Sequence, residues 1–235
     1  MSIDGILANF KTMKRNFFVI ILTSIIISCS FMPYKKIKVV FFGDSITEAA
    51  VKPKGYITID DSLLNAGGRG SYELIGEGVS GNKVYDLYLR VEDDVIRHSP
   101  DIVVIYIGVN DVWHKKMGTG TDADKFEKFY LALVKKFKEA NIKIVACTPA
   151  TIGEKYDNTN EQDGDMNRYS DIIRKIAAEQ NLVLVDLRAS FEEYERKNNT
   201  HNLDRGILTA DGVHLNDAGN QFVAGLMAEG IRKVQ

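Results

Sequence analysis

After an apolar segment near its start, the chain alternates short apolar runs with longer segments in which apolar and polar positions recur at helical spacing. Residues 37–42 (IKVVFF), 72–78 (YELIGEG), 102–108 (IVVIYIG), 142–148 (IKIVACT) and 182–187 (LVLVDL) are of strand length. Three of them carry β-branched residues at successive positions, the pattern of strands buried on both faces of a parallel sheet. Between them the spacing predicts helices over 56–65, 83–98, 122–140, 165–180 and 216–233. Asp122 and Asp165 stand where helices begin, and Ser99-Pro100 stops the second before the next strand. Such alternation predicts an α/β domain with helices on both faces of a five-stranded parallel sheet. The polar stretch 152–167 is a long loop, which in a compact domain points to function.

The apolar segment is of a different kind. Lys14 and Arg15 precede an uncharged apolar core at 17–27, about half the roughly 20 residues a spanning helix needs and the length of an export signal. It ends in Ile26-Ile27-Ser28-Cys29, which resembles the lipobox of bacterial lipoproteins. The resemblance implies cleavage before Cys29 and lipid on its thiol. A plain export signal or a short membrane anchor with an incidental cysteine is the alternative. The expected organisation is a signal at 1–28, a short tether at 29–36 and one domain over 37–235, placed in the bacterial cell envelope through the lipid on Cys29. A secreted or periplasmic protein is the alternative location. Residues 1–12 lengthen the charged region and include Asp4, which makes Met13 a candidate start.

Composition adds exclusions. The net charge is −2, and removing residues 1–28, with Lys11, Lys14, Arg15 and Asp4, leaves 27 basic and 31 acidic residues. This balance does not suggest a nucleic-acid partner, which would want a basic face. Two cysteines far apart in sequence give no disulfide framework.

In a sheet of this kind the ligand crevice lies outside the carboxyl ends of the strands. Ser45 follows the first strand, and Ser45-Ile46-Thr47-Glu48 fits the capping box S-x-x-E. The same position, where a strand gives way to a helix, displays a nucleophile. In 208–220, His214 follows Asp211 by three residues. The carboxylate can hold the ring so that its far nitrogen serves as a general base; a helix-entry turn capped by Asp211 and Asn216 is the equally open reading of that segment. Asn110, in IYIGVNDVWH, can donate its side-chain amide to an oxyanion or simply make a turn. Gly81, without a Cβ, can bring its N–H close to a ligand or form a left-handed turn.

Gly43-Asp44-Ser45, Gly81-Asn82, Gly108-Val109-Asn110-Asp111 and Asp211-Gly212-Val213-His214 together, in this order, resemble the SGNH/GDSL hydrolases, named for their Ser, Gly, Asn and His. The resemblance spans about residues 37–233. It implies a flavodoxin-like three-layer α/β/α sandwich and a metal-independent serine esterase needing no cofactor. Ser45 would be the nucleophile, His214 the base and Asp211 its orienting partner. The oxyanion would be held by the N–H groups of Ser45 and Gly81 and by Asn110. One departure is Glu48-Ala49-Ala50, where many relatives carry glycine. The chain also lacks the second glycine of G-x-S-x-G.

Asp44, Trp113 and His114 are candidate substrate contacts. His98 ends a helix, His201 sits in a polar loop, Cys147 lies inside a strand, and Arg69 lies in a glycine-rich turn. Two-metal phosphoesterase chemistry is a weak rival, since it demands a dense set of histidines and carboxylates and the chain has four histidines. A glycan-binding lipoprotein on an inactive scaffold is the other rival. The polar loops at 113–124 and 149–168 favour a carbohydrate O-acetyl or other short-chain ester as substrate, with a lysophospholipase or thioesterase acting on lipid as the alternative. Nothing in the sequence speaks to the oligomeric state.

Overall fold

Five parallel strands form the centre of the domain: β1 (Ile37–Gly43), β2 (Tyr72–Gly78), β3 (Ile102–Tyr106), β4 (Lys143–Cys147) and β5 (Val183–Val185). Their order across the sheet is β2-β1-β3-β4-β5, the flavodoxin-like arrangement. The structure is a computed structural model and describes residues 35–67 and 71–234. The apolar segment, Cys29, most of the tether and Arg69 lie outside the described residues. All the elements below belong to the unit Lys36–Gln235.

Among the described residues, eight α-helices connect or follow the strands: α1 (Ser45–Ala49), α2 (Tyr56–Leu64), α3 (Val84–Asp94), α4 (Val109–Trp113), α5 (Ala123–Glu139), α6 (Asp163–Gln180), α7 (Leu187–Asn198) and α8 (Asp217–Lys233). The sheet sorts them by residue parity, because successive side chains on a strand point to opposite faces. Val39 and Phe41 of β1 face a core shared with α1, α2, α7 and α8, including Tyr56, Phe191, Val223 and Met227. Val40 and Phe42 face a second core built with α3, α5 and α6, including Leu87, Phe126, Phe137 and Tyr169. Both cores are dry aliphatic and aromatic layers, so the inner strands are buried on both faces, as their unbroken apolar runs predict.

Register places the site. Gly43 pairs with Gly78 on one side and with Tyr106 on the other, so β2, β1 and β3 end level. The chain leaving β1 runs to one face through α1 and α2, and the chain leaving β2 returns on the other through α3. The gap between β1 and β3 is therefore the switch point where such sheets bind ligands. Gly78 is needed there for close approach: a Cβ would lie 2.5 Å from the Thr47 carbonyl carbon and 2.7 Å from the Asp44 carbonyl oxygen. Any side chain would force α1 off the sheet.

The structure revises several boundaries. The helix expected over 83–98 ends at Asp94. A 3-10 turn, Ile96–His98, follows it, and Ser99 in the left-handed region (φ 48°) closes the segment. The last strand stops at Val185, because Asp186 turns its carboxylate to accept from Ala189 N–H and starts α7. The sequence reading left α7 unassigned, although Leu187, Phe191 and Tyr194 follow helical spacing; its many charged residues masked that stripe. The helix expected from Asp165 starts two residues earlier, at Asp163.

Candidate active site

Ser45 opens α1, yet it does not cap it. The N-cap is Asp44, whose Oδ1 accepts the Ile46 N–H at 3.0 Å. The capping box expected from Ser45 and Glu48 is therefore not formed. Glu48 instead reaches across to the turn after β2, where its Oε2 accepts from Ser80 N–H at 2.6 Å and from the Ser80 hydroxyl. With the capping done by Asp44, the Ser45 hydroxyl is left to lie 3.0 Å from His214 Nε2.

His214 is held from its other side. Its Nδ1 lies 2.8 Å from Asp211 Oδ2, while Asp211 Oδ1 accepts the N–H groups of Val213 and His214 at 3.0 and 2.8 Å. Burial raises the Asp211 carboxyl pKa, but the hydrogen bonds from the His214 ring and from the two backbone donors outweigh it. The group sits below its ordinary value and is ionised at neutral pH. An ionised carboxylate only accepts, so the Nδ1–H tautomer is the one that fits, with Nε2 open to accept from Ser45. Asn216 caps α8 by accepting Gly219 N–H at 2.9 Å. The same segment thus starts α8 through Asn216 and sets the His214 ring against Asp211.

The remaining residues of the motif face the same gap. Gly81 takes φ +78°, with open space where a Cβ would be. Asn110, buried in the first turn of α4, donates one amide hydrogen to the Asn82 carbonyl at 3.1 Å. That bond fixes its rotamer and leaves the second hydrogen for a ligand. Among the described residues, neither Ser45 N–H nor Gly81 N–H has a protein acceptor.

Beneath these groups lie two buried carboxyls. Burial first of all, with the charge of Asp111 adding to it, pushes Asp44 up to about 7, against the opposing pull of the Ile46 N–H and His214. Burial likewise pushes Asp111 up to about 6, against the Val84 N–H, 3.2 Å from both of its carboxylate oxygens, and the charge of Lys83. Asp44 was expected as a substrate contact, but it is 2 % exposed and holds the helix start. Trp113 does border the site: its ring meets the His214 ring edge-on, with centroids 6.2 Å apart. The His114 ring lies tilted against that of Trp113, with centroids 6.1 Å apart, and burial lowers its pKa, with Lys83 adding. A cleft of about 340 Å³ lies beside Asp211, with Trp113, Ile152 and Val213 as well as Lys116, Asn160 and Asp204 in its lining; Ser45 and His214 are not among its lining residues.

Among the described residues no three His, Cys, Asp or Glu side chains gather as a metal-ligand set. His98 pairs with Glu77 at 2.8 Å, and Cys147 is a buried core thiol. Arg90 of α3 carried no signal in the sequence. It donates to the Gly43 carbonyl at 2.8 Å, to the Glu77 carbonyl at 3.2 Å and to Asn82 Oδ1 at 2.7 Å. One guanidinium thus ties the ends of β1 and β2 to the turn that carries Gly81, a long-range arrangement with no local pattern.

Comparison with known proteins agrees with this geometry. The GDSL-like Lipase/Acylhydrolase family matches residues 41–222. A crystal structure of an acetyl xylan esterase, AlAXEase, superposes with a TM-score of 0.82 at 60% identity, covering 83% of this chain and 100% of that one. An acetylxylan esterase of Geobacillus stearothermophilus is 32% identical over 207 residues, 80% of this chain and 90% of its own length. A crystal structure of Axe2, an acetylxylan esterase from Geobacillus stearothermophilus, has a TM-score of 0.73 at 29% identity, covering 85% of this chain and 96% of that one. With its family blocks in order and its fold shared with these esterases, the chain belongs to the GDSL-like lipase/acylhydrolase family of ester hydrolases.

Proposed function

We propose that the protein removes acetyl groups from a xylan-type carbohydrate by a serine-esterase mechanism, with Ser45 as nucleophile, His214 as base and Asp211 as its orienting partner. The observation that carries the mechanism is the unbroken chain Ser45 Oγ, His214 Nε2, His214 Nδ1, Asp211 Oδ2, with links of 3.0 and 2.8 Å. As Ser45 Oγ bonds to the acetyl carbonyl carbon, its proton passes to His214 Nε2, and the imidazolium is stabilised by the ionised Asp211. The carbonyl oxygen, now an oxyanion, takes hydrogen bonds from Ser45 N–H, Gly81 N–H and the second amide hydrogen of Asn110. The tetrahedral species collapses: the bond to the sugar oxygen breaks, and His214 gives its proton to that oxygen. Water then repeats the sequence on acetyl-Ser45 and releases acetate.

The carbohydrate reading draws on the acetylxylan esterase relatives and on the hydrogen-bonding side chains Lys116, Asn160 and Asp204 in the cleft beside Asp211. Trp113 offers an aromatic face beside the base. The proposal extends to cellular placement: the basic residues, the apolar core at 17–27 and Cys29 in its lipobox-like context support export and anchoring by a lipid on Cys29. The experiment that tests the substrate reading is acid release from acetylated xylo-oligosaccharides, short and long p-nitrophenyl esters and lysophospholipid, compared by kcat/KM. Preference for the acetylated sugars is expected; preference for the long-chain esters or the lysophospholipid would overturn it.

A further inference from the structure

The segment 204–216, which carries both His214 and Asp211, has almost no regular structure: one isolated bridge, Thr209 with Leu215, and a turn closed by Ala210 N–H on the His214 carbonyl. A pair of groups that must hold a proton-transfer geometry needs a rigid support. That support comes from a residue on the loop after β4. Glu154 is fully buried, and its carboxylate accepts three successive backbone N–H groups of this segment. Oε2 takes Ile207 at 2.7 Å, and Oε1 takes Leu208 and Thr209 at 2.6 Å each.

We infer that Glu154 is a positioning residue for the reaction: a buried anion seated in a nest of three amides that holds the 207–209 backbone and, through it, the Asp211–His214 pair in reach of Ser45. Three consecutive N–H donors turned to one point form an anion-binding concavity. Only a carboxylate supplies two acceptor oxygens to fill it; glutamine would turn an NH2 onto one of the donors. Bonds between an ionised acceptor and N–H donors are short and strong, as these are. No cation is bonded to the Glu154 carboxylate among the described residues; its hydrogen bonds all go to the loop.

The backbone around Glu154 is stitched to the same segment. Glu154 N–H donates to the Asp204 carbonyl at 3.0 Å, Gly153 N–H to the Gly212 carbonyl at 2.8 Å, and Asn199 Nδ2 to the Glu154 carbonyl at 2.7 Å. Gly153 and Gly212 both take positive φ, 86° and 96°, which lets the two strands of loop run close together. Glu195 of α7, also buried, is pushed up to about 8 by burial and then by the charge of Glu154. The inference rests on the Ser45–His214 mechanism above, which phosphonate labelling of Ser45 in the wild-type protein tests separately.

The test is Glu154→Gln beside Glu154→Asp, assayed well below their melting temperatures, with the low-field proton resonance of His214 Nδ1–H as a second readout. For Glu154→Gln, kcat is expected to fall by about 100-fold, the scale of a 1 Å misplacement, with KM changed by no more than about twofold. The His214 resonance should weaken or vanish. Glu154→Asp keeps the charge but not the reach and should fall between the two. A Glu154→Gln protein that melts lower but keeps the wild-type kcat and the resonance would overturn the inference, leaving Glu154 a stabilising residue only. If neither variant folds, amide hydrogen exchange in the wild-type protein decides. Ile207, Leu208 and Thr209 should be protected like strand amides, and free exchange at these three positions would overturn the inference equally.

Discussion

Asp44 Oδ1, and not the Ser45 hydroxyl, accepts the Ile46 N–H at the start of α1, at 3.0 Å. The consequence is a division of labour between neighbours. A serine at a helix start is ordinarily drawn to the free N–H groups of the first turn. With Asp44 satisfying that demand, Ser45 Oγ can point to His214. Replacing Asp44 by alanine restores the competition and removes a cap worth about 1 kcal/mol. Asp44→Ala should lower both the melting temperature and kcat, the latter by roughly fivefold if the hydroxyl loses a comparable preference for His214. Asp44→Asn keeps the acceptor and should recover most of the activity. Equal rates for alanine and wild type would contradict this division.

In the proposed mechanism Asn110 is the side-chain donor to the oxyanion, and its rotamer is set by the Asn82 carbonyl at 3.1 Å. Asn110→Ala should lower kcat by about 100- to 1,000-fold, the loss of one preorganised donor, while KM stays close to wild type. A variant that raises KM at unchanged kcat would place Asn110 in ground-state binding instead.

Asp60 of α2 is buried, and neither of its carboxylate oxygens has a hydrogen-bond partner among the described residues. Burial pushes its pKa up to about 8, against a smaller opposing pull from Arg232. The folded protein therefore keeps this proton where the unfolded chain has lost it. The sign follows: the contribution to stability is complete below about pH 4 and is lost as pH rises toward about 8, at up to about 1.4 kcal/mol per pH unit. Asp60→Asn should flatten that slope and gain stability over wild type at pH 8, read from urea midpoints between pH 5 and 8. Parallel pH profiles for the two proteins would contradict it.

Membrane placement has a direct test in Cys29. Cys29→Ala should move the protein from the membrane fraction to the soluble fraction of the envelope. Unchanged membrane association would defeat the lipid anchor while leaving the enzymology untouched.

Much of the fold was legible because its inner strands are buried on both faces. Unbroken runs such as IVVIY have few other homes, and three of the four family blocks stand where those strands end, the fourth just before the last helix. What stayed hidden is long-range or ambiguous locally. Ser45 and Glu48 match a capping box, yet Glu48 is spent on Ser80, 32 residues away. Asp44 looked like a polar group facing the crevice, and only its burial reveals the cap. Arg90 and Glu154 have no sequence pattern at all: each is defined by backbone atoms from distant segments that meet only in the folded chain. The helix α7 was missed because its apolar stripe is narrow among glutamates, arginines and lysine.

The central claim is that Ser45 is a nucleophile activated by His214. Its most direct test is mass spectrometry after treatment with a fluorophosphonate, comparing wild type with His214→Ala at equal exposure. The account predicts one phosphonyl group on the wild-type protein, mapped to the peptide containing Ser45, and little or none on His214→Ala. A wild-type protein left unlabelled at Ser45, or a His214→Ala protein labelled just as fast, would contradict it.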